Sequence, residues 1–226
     1  DINVYEDNAV RPIVQFSRER VPISVAIVLD ISGSMQRKSS RPGVDLRWKD
    51  TRLAVNTFLS LLRPEDEASL SVFNHRPMLL MAWTYDREAM LRTLDRVELG
   101  GGTAIFRAVI AAMRSMASAR SRRKVVLLIS DGIDNAIPDK FLDSAAYDVP
   151  MFRHQQRLRA WSGLQKSETT LYAFGMATRG DTFPVNLVTL EALANPTGGY
   201  AEAINQPEAI TKTIIELSED LRAQYM

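Results

Sequence analysis

The stretch that decides the fold is Ile23-Ser-Val-Ala-Ile-Val-Leu29, which runs directly into Asp30-Ile-Ser32-Gly-Ser34-Met35. Its first seven residues are apolar apart from one serine and rich in β-branched side chains. At that length such a run belongs to a strand buried on both faces, as in a parallel sheet. Val125-Val-Leu-Leu-Ile129 and Thr170-Leu-Tyr-Ala-Phe174 have the same character. Ser69–Phe73 and Met78–Trp83 alternate more, with Asn74-His-Arg-Pro77 between them, which predicts an antiparallel pair at one edge. Between the strands, apolar residues recur at helical spacing: Leu53/Ala54, Thr57/Phe58 and Leu61/Leu62 before Arg63-Pro64; Ile105, Val109, Ala112, Met113 and Met116; Leu158, Trp161 and Leu164; Leu187, Leu190 and Leu193 before Asn195-Pro196; and Ile210, Ile214, Leu217 and Leu221. Strands alternating with helices give an α/β sheet covered on both faces. In such sheets ligands bind beyond the carboxyl ends of the strands.

Residues 1–20 read as an extended lead-in to a domain spanning 21–226. In it Ile2-Asn-Val4-Tyr5 and Ile13-Val-Gln-Phe16 flank a turn-rich Glu6-Asp7-Asn8, as in a hairpin. Segments 37–50 and 136–152 are rich in Ser, Arg, Pro or Asp and read as surface loops at one end of the sheet. The methionines and aromatic residues of the helices are accounted for by core packing.

The composition narrows the function. With 28 Lys and Arg against 27 Asp and Glu, the net charge is +1, which gives no electrostatic case for nucleic acid or anionic membrane as a partner. The basic run Arg120-Ser-Arg122-Arg123-Lys124 reads as a solvated turn before a strand. With no cysteine, disulfides, zinc–thiolate sites and thiol nucleophiles are excluded. No apolar run reaches the length of a membrane span. The chain begins at Asp1 rather than Met, as a processed form or an excised piece would.

Three segments carry chemistry. Asp30, Ser32 and Ser34 place one carboxylate and two hydroxyls at alternate positions just after a buried strand, with Gly33 permitting a tight turn. Ser130-Asp131-Gly132 ends the second buried strand in a carboxylate. Gly100-Gly101-Gly102-Thr103 presents a hydroxyl before a helix. In a parallel sheet all three end on the same edge, so Asp30, Ser32, Ser34, Thr103 and Asp131 can converge. Five hard oxygen donors suit Mg²⁺ first, with Mn²⁺ or Ca²⁺ as alternatives, rather than zinc or copper. Taken singly, each residue has an ordinary explanation: Asp30, Ser32, Ser34 or Thr103 as helix caps, Asp131-Gly132 as a turn. Gly102, Asp134 and Asn135 are candidates for the rim of the site. His75 and His154 read as surface residues.

The pattern Asp30-x-Ser32-x-Ser34, Gly-Gly-Thr103 and Ser-Asp131-Gly resembles the metal-ion-dependent adhesion site of von Willebrand factor A (integrin I-like) domains, over about residues 20–223. The resemblance implies a Rossmann-like, doubly wound, mostly parallel sheet with one antiparallel edge strand. It also implies that the three hydroxyl residues contact the metal directly, and the two aspartates directly or through water. The lead-in Asn3-Val-Tyr5-Glu-Asp7, Ile13-Val-Gln-Phe16-Ser-Arg18, and the end, Thr197-Gly-Gly-Tyr200 and Glu216 to Tyr225, resemble a bacterial "VWFA-related" group frequent in Acidobacteria. That group often carries signal sequences, which implies an exported setting, and usually continues past the Gln-Tyr pair into another strand. The longer 136–168 segment departs from its pattern.

These features predict a protein-interaction, adhesion-type module in which one divalent cation captures an Asp or Glu carboxylate of a partner protein. One alternative is a structural module with a stabilising or vestigial metal site. The other is a metal-dependent hydrolase. Against the hydrolase, no Asp follows Asp30 two residues on, no phosphate loop or nucleophile elbow is present, and neither histidine lies near the motif in sequence.

Overall fold

The computed structural model describes residues 4–6, 9–11, 21–36, 46–135, 149–176, 185–204 and 207–223. Its elements run β1 (Val4–Glu6), β2 (Ala9–Arg11), β3 (Ile23–Asp30), α1 (Leu46–Leu61), β4 (Glu67–Phe73), β5 (Pro77–Thr84), α2 (Arg87–Leu94), α3 (Ile105–Ser115), β6 (Arg123–Ser130), α4 (Val149–Lys166), β7 (Thr169–Met176), α5 (Leu187–Ala194), β8 (Ala201–Ile204) and α6 (Pro207–Ala223). Six strands form one sheet in the order β5-β4-β3-β6-β7-β8. All neighbours are parallel except β4 and β5, so the antiparallel strand lies at the edge, as the hairpin signal predicts.

The apolar runs are central strands because both faces are covered. Val25, Ile27 and Leu29 of β3 join one core layer, with Val125, Leu127 and Ile129 of β6 and buried residues of α1, α2 and α6. Ala26 and Val28 join the other, with Val126 and Leu128 and residues of α3, α4 and α5. Each fully buried Val, Leu or Ile contributes about 1.5–3 kcal/mol relative to exposure, so these strands anchor the fold.

Several expectations are corrected. The lead-in is a hairpin, but Val4–Glu6 pairs with Ala9–Arg11, nearer in sequence than expected, because only two residues are needed to turn the chain. Ile13–Phe16 lies outside the described residues. Residues 46–50 and 149–152, read as loop, are the first turns of α1 and α4. Pro150 is tolerated there because the first turn of a helix has no intrahelical use for its N–H. On α4 the buried positions are Ala160 and Leu164, while Leu158 is 47% exposed. Two elements carry too little apolar periodicity to be read in advance. In α2, capped by the Asp86 side chain on Ala89 N–H at 2.8 Å, Met90 and Leu94 are the buried residues. The other, β8, has four residues.

Candidate metal centre

β3 and β6 are parallel neighbours paired up to Leu29–Ile129, so Asp30 and Ser130 leave the sheet side by side. The Ser130 hydroxyl donates to Asp30 Oδ2 at 2.6 Å, and Asp30 Oδ1 accepts the Ser32 N–H at 2.8 Å. Beyond it a short 3₁₀ turn, Gly33–Met35, lifts Ser34 to the surface, while Ser32 is buried. The two hydroxyls, Ser32 Oγ and Ser34 Oγ, lie 3.0 Å apart. Gly33 does not adopt a left-handed conformation, as the tight-turn reading would suggest. Its N–H donates to the Gly101 carbonyl at 2.9 Å, which makes it a point of close approach between loops.

The glycine loop is fastened to that turn. Gly100 N–H donates to the Ile31 carbonyl at 2.7 Å. The Asn74 side chain donates to the Gly100 carbonyl at 3.1 Å, and the Asn74 carbonyl accepts from Ala104 N–H at 2.7 Å. Gly101 has φ +85°, which favours glycine, and a side chain there would meet His75 Nδ1 at 3.2 Å. His75 is therefore beside the glycine loop, closer to the site than its sequence position suggests. Thr103 is buried and held by Asn135 through two bonds: Thr103 N–H to Asn135 Oδ1 at 2.7 Å, and Asn135 N–H to the Thr103 carbonyl at 2.9 Å. Asn135, a rim candidate in sequence, thus joins the Thr103 and Asp131 segments. Asp134 accepts the Phe106 N–H at 3.4 Å in the first turn of α3. Gly102 sits half-buried between Gly101 and Thr103.

Asp131 is buried, and its Oδ1 accepts the Ile133 N–H at 3.2 Å. Gly132 follows with φ +78°; a Cβ there would lie 2.4 Å from the Asn186 carbonyl, so the chain needs glycine to pass. The residue that sequence reading missed is Arg47. It is buried, and its Nη1 lies 3.4 Å from Asp131 Oδ2 and donates to the Ser34 carbonyl at 3.1 Å. Ser130, quoted as part of a motif but given no role, was also missed. A parallel neighbour ending level with Asp30 was the signal for it.

The electrostatics explain what this geometry lacks. Burial pushes the Asp30 carboxyl up to about 7, and the nearby Asp131 charge pushes the same way, against hydrogen bonds from Ser130 and Ser32. Two buried carboxylates, with hydroxyls around Asp30, the Arg47 guanidinium on one side of Asp131 and an opening at Ser34, fit a hard divalent cation. Among the described residues no group of three or more His, Cys, Asp or Glu side chains converges, so a cation at this place would take its remaining donors from hydroxyls.

Residues 25–133 match the family model of the von Willebrand factor type A domain. Inter-alpha-trypsin inhibitor heavy chain H2 of Sus scrofa is 24% identical over 203 residues, which cover 83% of this chain and 19% of that protein. The chain thus spans about a fifth of the length of that relative. Among solved structures, a von Willebrand factor type A protein from Catenulispora acidiphila superposes with TM-score 0.67 at 17% identity, covering 90% of this chain and 43% of its own. The vWF domain of the type V pili tip protein Mfa5 from Porphyromonas gingivalis has TM-score 0.67 at 16% identity, covering 90% and 96%. At these identities the structures share the fold.

Proposed function

The chain carries a von Willebrand factor type A domain, and from that premise we propose that it is a metal-ion-dependent, adhesion-type interaction module. Asp30, Ser32, Ser34, Thr103 and Asp131 hold one divalent cation, Mg²⁺ by preference with Mn²⁺ or Ca²⁺ as substitutes, and a partner protein presents an Asp or Glu to it. Protein interaction is the general role of such domains. The observation that carries the finer reading is the pair of buried carboxylates, Asp30 and Asp131, at adjacent strand ends beside the Ser32 and Ser34 hydroxyls, with Ser34 open to solvent.

The chain's own residues do the positioning. Ser130 and the Ser32 N–H orient both oxygens of Asp30, Asn135 orients Thr103, and the Gly100–Ile31 and Gly33–Gly101 bonds lock the two loops together. When bound, the cation supplies a Lewis-acid centre for a carboxylate oxygen. A binding module rather than an enzyme is the better reading: although His75 lies beside the glycine loop, no phosphate-binding or nucleophile motif occurs in the sequence, and His154 stands exposed on α4 with its Nδ1 3.0 Å from Arg157. Placement outside the cytoplasm is part of the proposal. It is supported by the bacterial resemblance and by the pilus protein among the fold neighbours. No described helix is long and apolar enough to cross a membrane.

One observation favours the structural-module reading. Arg47 already gives Asp131 a counter-charge, so the loops have an internal tie independent of metal. Calorimetric titration of EDTA-stripped protein with Mg²⁺, Mn²⁺ and Ca²⁺, beside an Asp30→Ala/Thr103→Ala variant, separates the metal-dependent module from a structural module with a vestigial site. Saturable one-to-one binding that the variant loses is the expected result. Absence of binding in both proteins would leave the structural module standing instead.

A further inference from the structure

Next to the metal-site loops, the start of α3 and the facing sides of α4 and α5 enclose a cleft of about 480 Å³. Its near wall is built from the site's own segments. Phe106 is three residues beyond Thr103, Asp134 is three beyond Asp131, and Asn186 donates its N–H to the Asp131 carbonyl at 2.8 Å. The far wall is one face of α4, where Arg153, Arg157 and Trp161 recur every fourth residue. The Arg157 guanidinium lies over the Trp161 ring, 5.5 Å from its centroid. Arg153 reaches back toward the site, donating from Nη2 to the Asn135 carbonyl at 2.8 Å, and Asn135 in turn clamps Thr103.

Two features of this cleft are unfinished. Among the described residues, Arg153 Nε and Trp161 Nε1 are buried donors with no hydrogen-bond partner. Buried polar groups are almost always paired, so two unpaired donors on residues that line one cleft would be relieved by an acceptor from outside once the side chains turn toward it. The charge is also unbalanced among the described lining residues, where two guanidiniums face the carboxylate of Asp134. An oxygen-rich anion meets both needs. The apolar portions of the walls, Phe106 and Val188, suit the aliphatic stem of a side chain.

We propose that this cleft is a second recognition site, which takes an Asp or Glu side chain from the same partner segment that presents a carboxylate to the metal centre. The partner is thus an acidic peptide segment bearing two carboxylates, one read by the metal and one by Arg153, Arg157 and Trp161. This rests on the metal-dependent reading above. It goes further by placing part of the specificity in α4 and assigning a sequence character to the ligand. A carboxylate held by a planar guanidinium gains bidentate geometry as well as charge, which makes the second contact selective rather than merely attractive.

The test uses the full chain and an acetylated, amidated tetraglutamate peptide, with tetraglutamine as the neutral control. Nitrogen–proton correlation spectra read the Trp161 indole and Arg153 Nε signals, assigned with Trp161→Phe and Arg153→Gln variants. In Mg²⁺ the acidic peptide should shift both signals saturably and the neutral peptide neither. An Arg157→Gln variant, which leaves the Arg153–Asn135 tie to the metal site in place, should keep wild-type amide dispersion and Mg²⁺ affinity and bind tetraglutamate at least about tenfold more weakly, as expected for loss of charge-assisted bonds. EDTA should weaken peptide binding about tenfold or more while leaving a residual indole shift at high peptide concentration. No indole shift in either condition overturns the cleft. An indole shift of equal affinity with and without Mg²⁺ overturns the two-point capture, and inorganic phosphate competing as well as the peptide overturns the carboxylate assignment. Failure of the metal reading looks different: Mg²⁺ then gives no calorimetric signal, whatever the indole does.

Discussion

At the amino-terminal end of β3, Asp66 and Glu67 are buried among hydrogen-bond donors; at its carboxyl end, Asp30 and Asp131 are buried beside each other. Asp66 accepts the Ile23 N–H at 3.0 Å and the Arg63 N–H at 2.8 Å, which fastens the start of β3 to the turn before β4. Glu67 Oε1 accepts the Ser24 hydroxyl and the Arg120 N–H, both at 2.6 Å. These carboxylates act as acceptors for chain segments that would otherwise bury unpaired donors. The upper end also has donors, and Arg47 lies against Asp131, but the Asp131 charge and burial together disfavour ionisation of Asp30, and the Ser32 and Ser34 hydroxyls lie 3.0 Å apart. Burial alone therefore does not mark a functional carboxylate. What separates the two ends is that Asp66 and Glu67 serve as acceptors that tie chain segments together, whereas Asp30 lies beside a second buried carboxylate whose charge disfavours its own.

The largest expected effect comes from the lower end. Asp66→Ala leaves the Ile23 and Arg63 N–H groups without their acceptor, which should cost about 2–4 kcal/mol in urea denaturation. The loss should be the same in Mg²⁺ and in EDTA, because nothing at this end needs a cation. A loss that Mg²⁺ repairs would mean that the two ends are not independent.

The upper end should respond in the opposite sense. Asp30→Asn keeps the side chain's shape and removes one of two opposed buried charges. In EDTA at pH 8 it should stabilise the fold by about 1–3 kcal/mol. The same substitution should abolish the rise in Tm that Mg²⁺ gives the wild type. A destabilised Asn variant in EDTA would show that the Asp30 charge is already satisfied by the protein, and the contrast between the ends would collapse.

The sequence reveals the two ends unequally. The buried strands are legible because an apolar run of strand length admits few other readings, and Asp30 and Asp131 are visible because each interrupts such a run. Asp66 and Glu67 are not, since Pro64-Glu-Asp-Glu67 looks like any solvated turn. Arg47 is hidden for a related reason. A charged residue in a stretch rich in Ser, Arg and Asp reads as loop, and only the folded chain places it within 3.4 Å of Asp131. The cleft is hidden too, because its basic wall on α4 is an ordinary amphipathic surface until α5 and the start of α3 close over it. Motif residues are local in sequence, whereas charge partners are set by distance in space.

The smallest effect tests how far the imbalance at the upper end spreads. Asp134, on the wall between the metal site and the cleft, has its carboxyl raised to about 6, chiefly by burial, against the Phe106 N–H and the Arg153 and Arg107 charges that favour ionisation. The folded state therefore holds a proton that the unfolded chain, with an ordinary value near 3.8, has released. The stability linked to this proton is fully present below about pH 4 and is lost as pH rises through about 6. Asp134→Asn keeps an acceptor for Phe106 and removes the titration. In EDTA the variant and the wild type should be separated least near pH 4. Toward pH 7 the variant should gain on the wild type by about 1–2 kcal/mol, less than the full shift because the group is only partly buried. Parallel stability curves from pH 4 to 8 would mean that the two arginines already neutralise Asp134. The disfavoured charge would then be confined to Asp30.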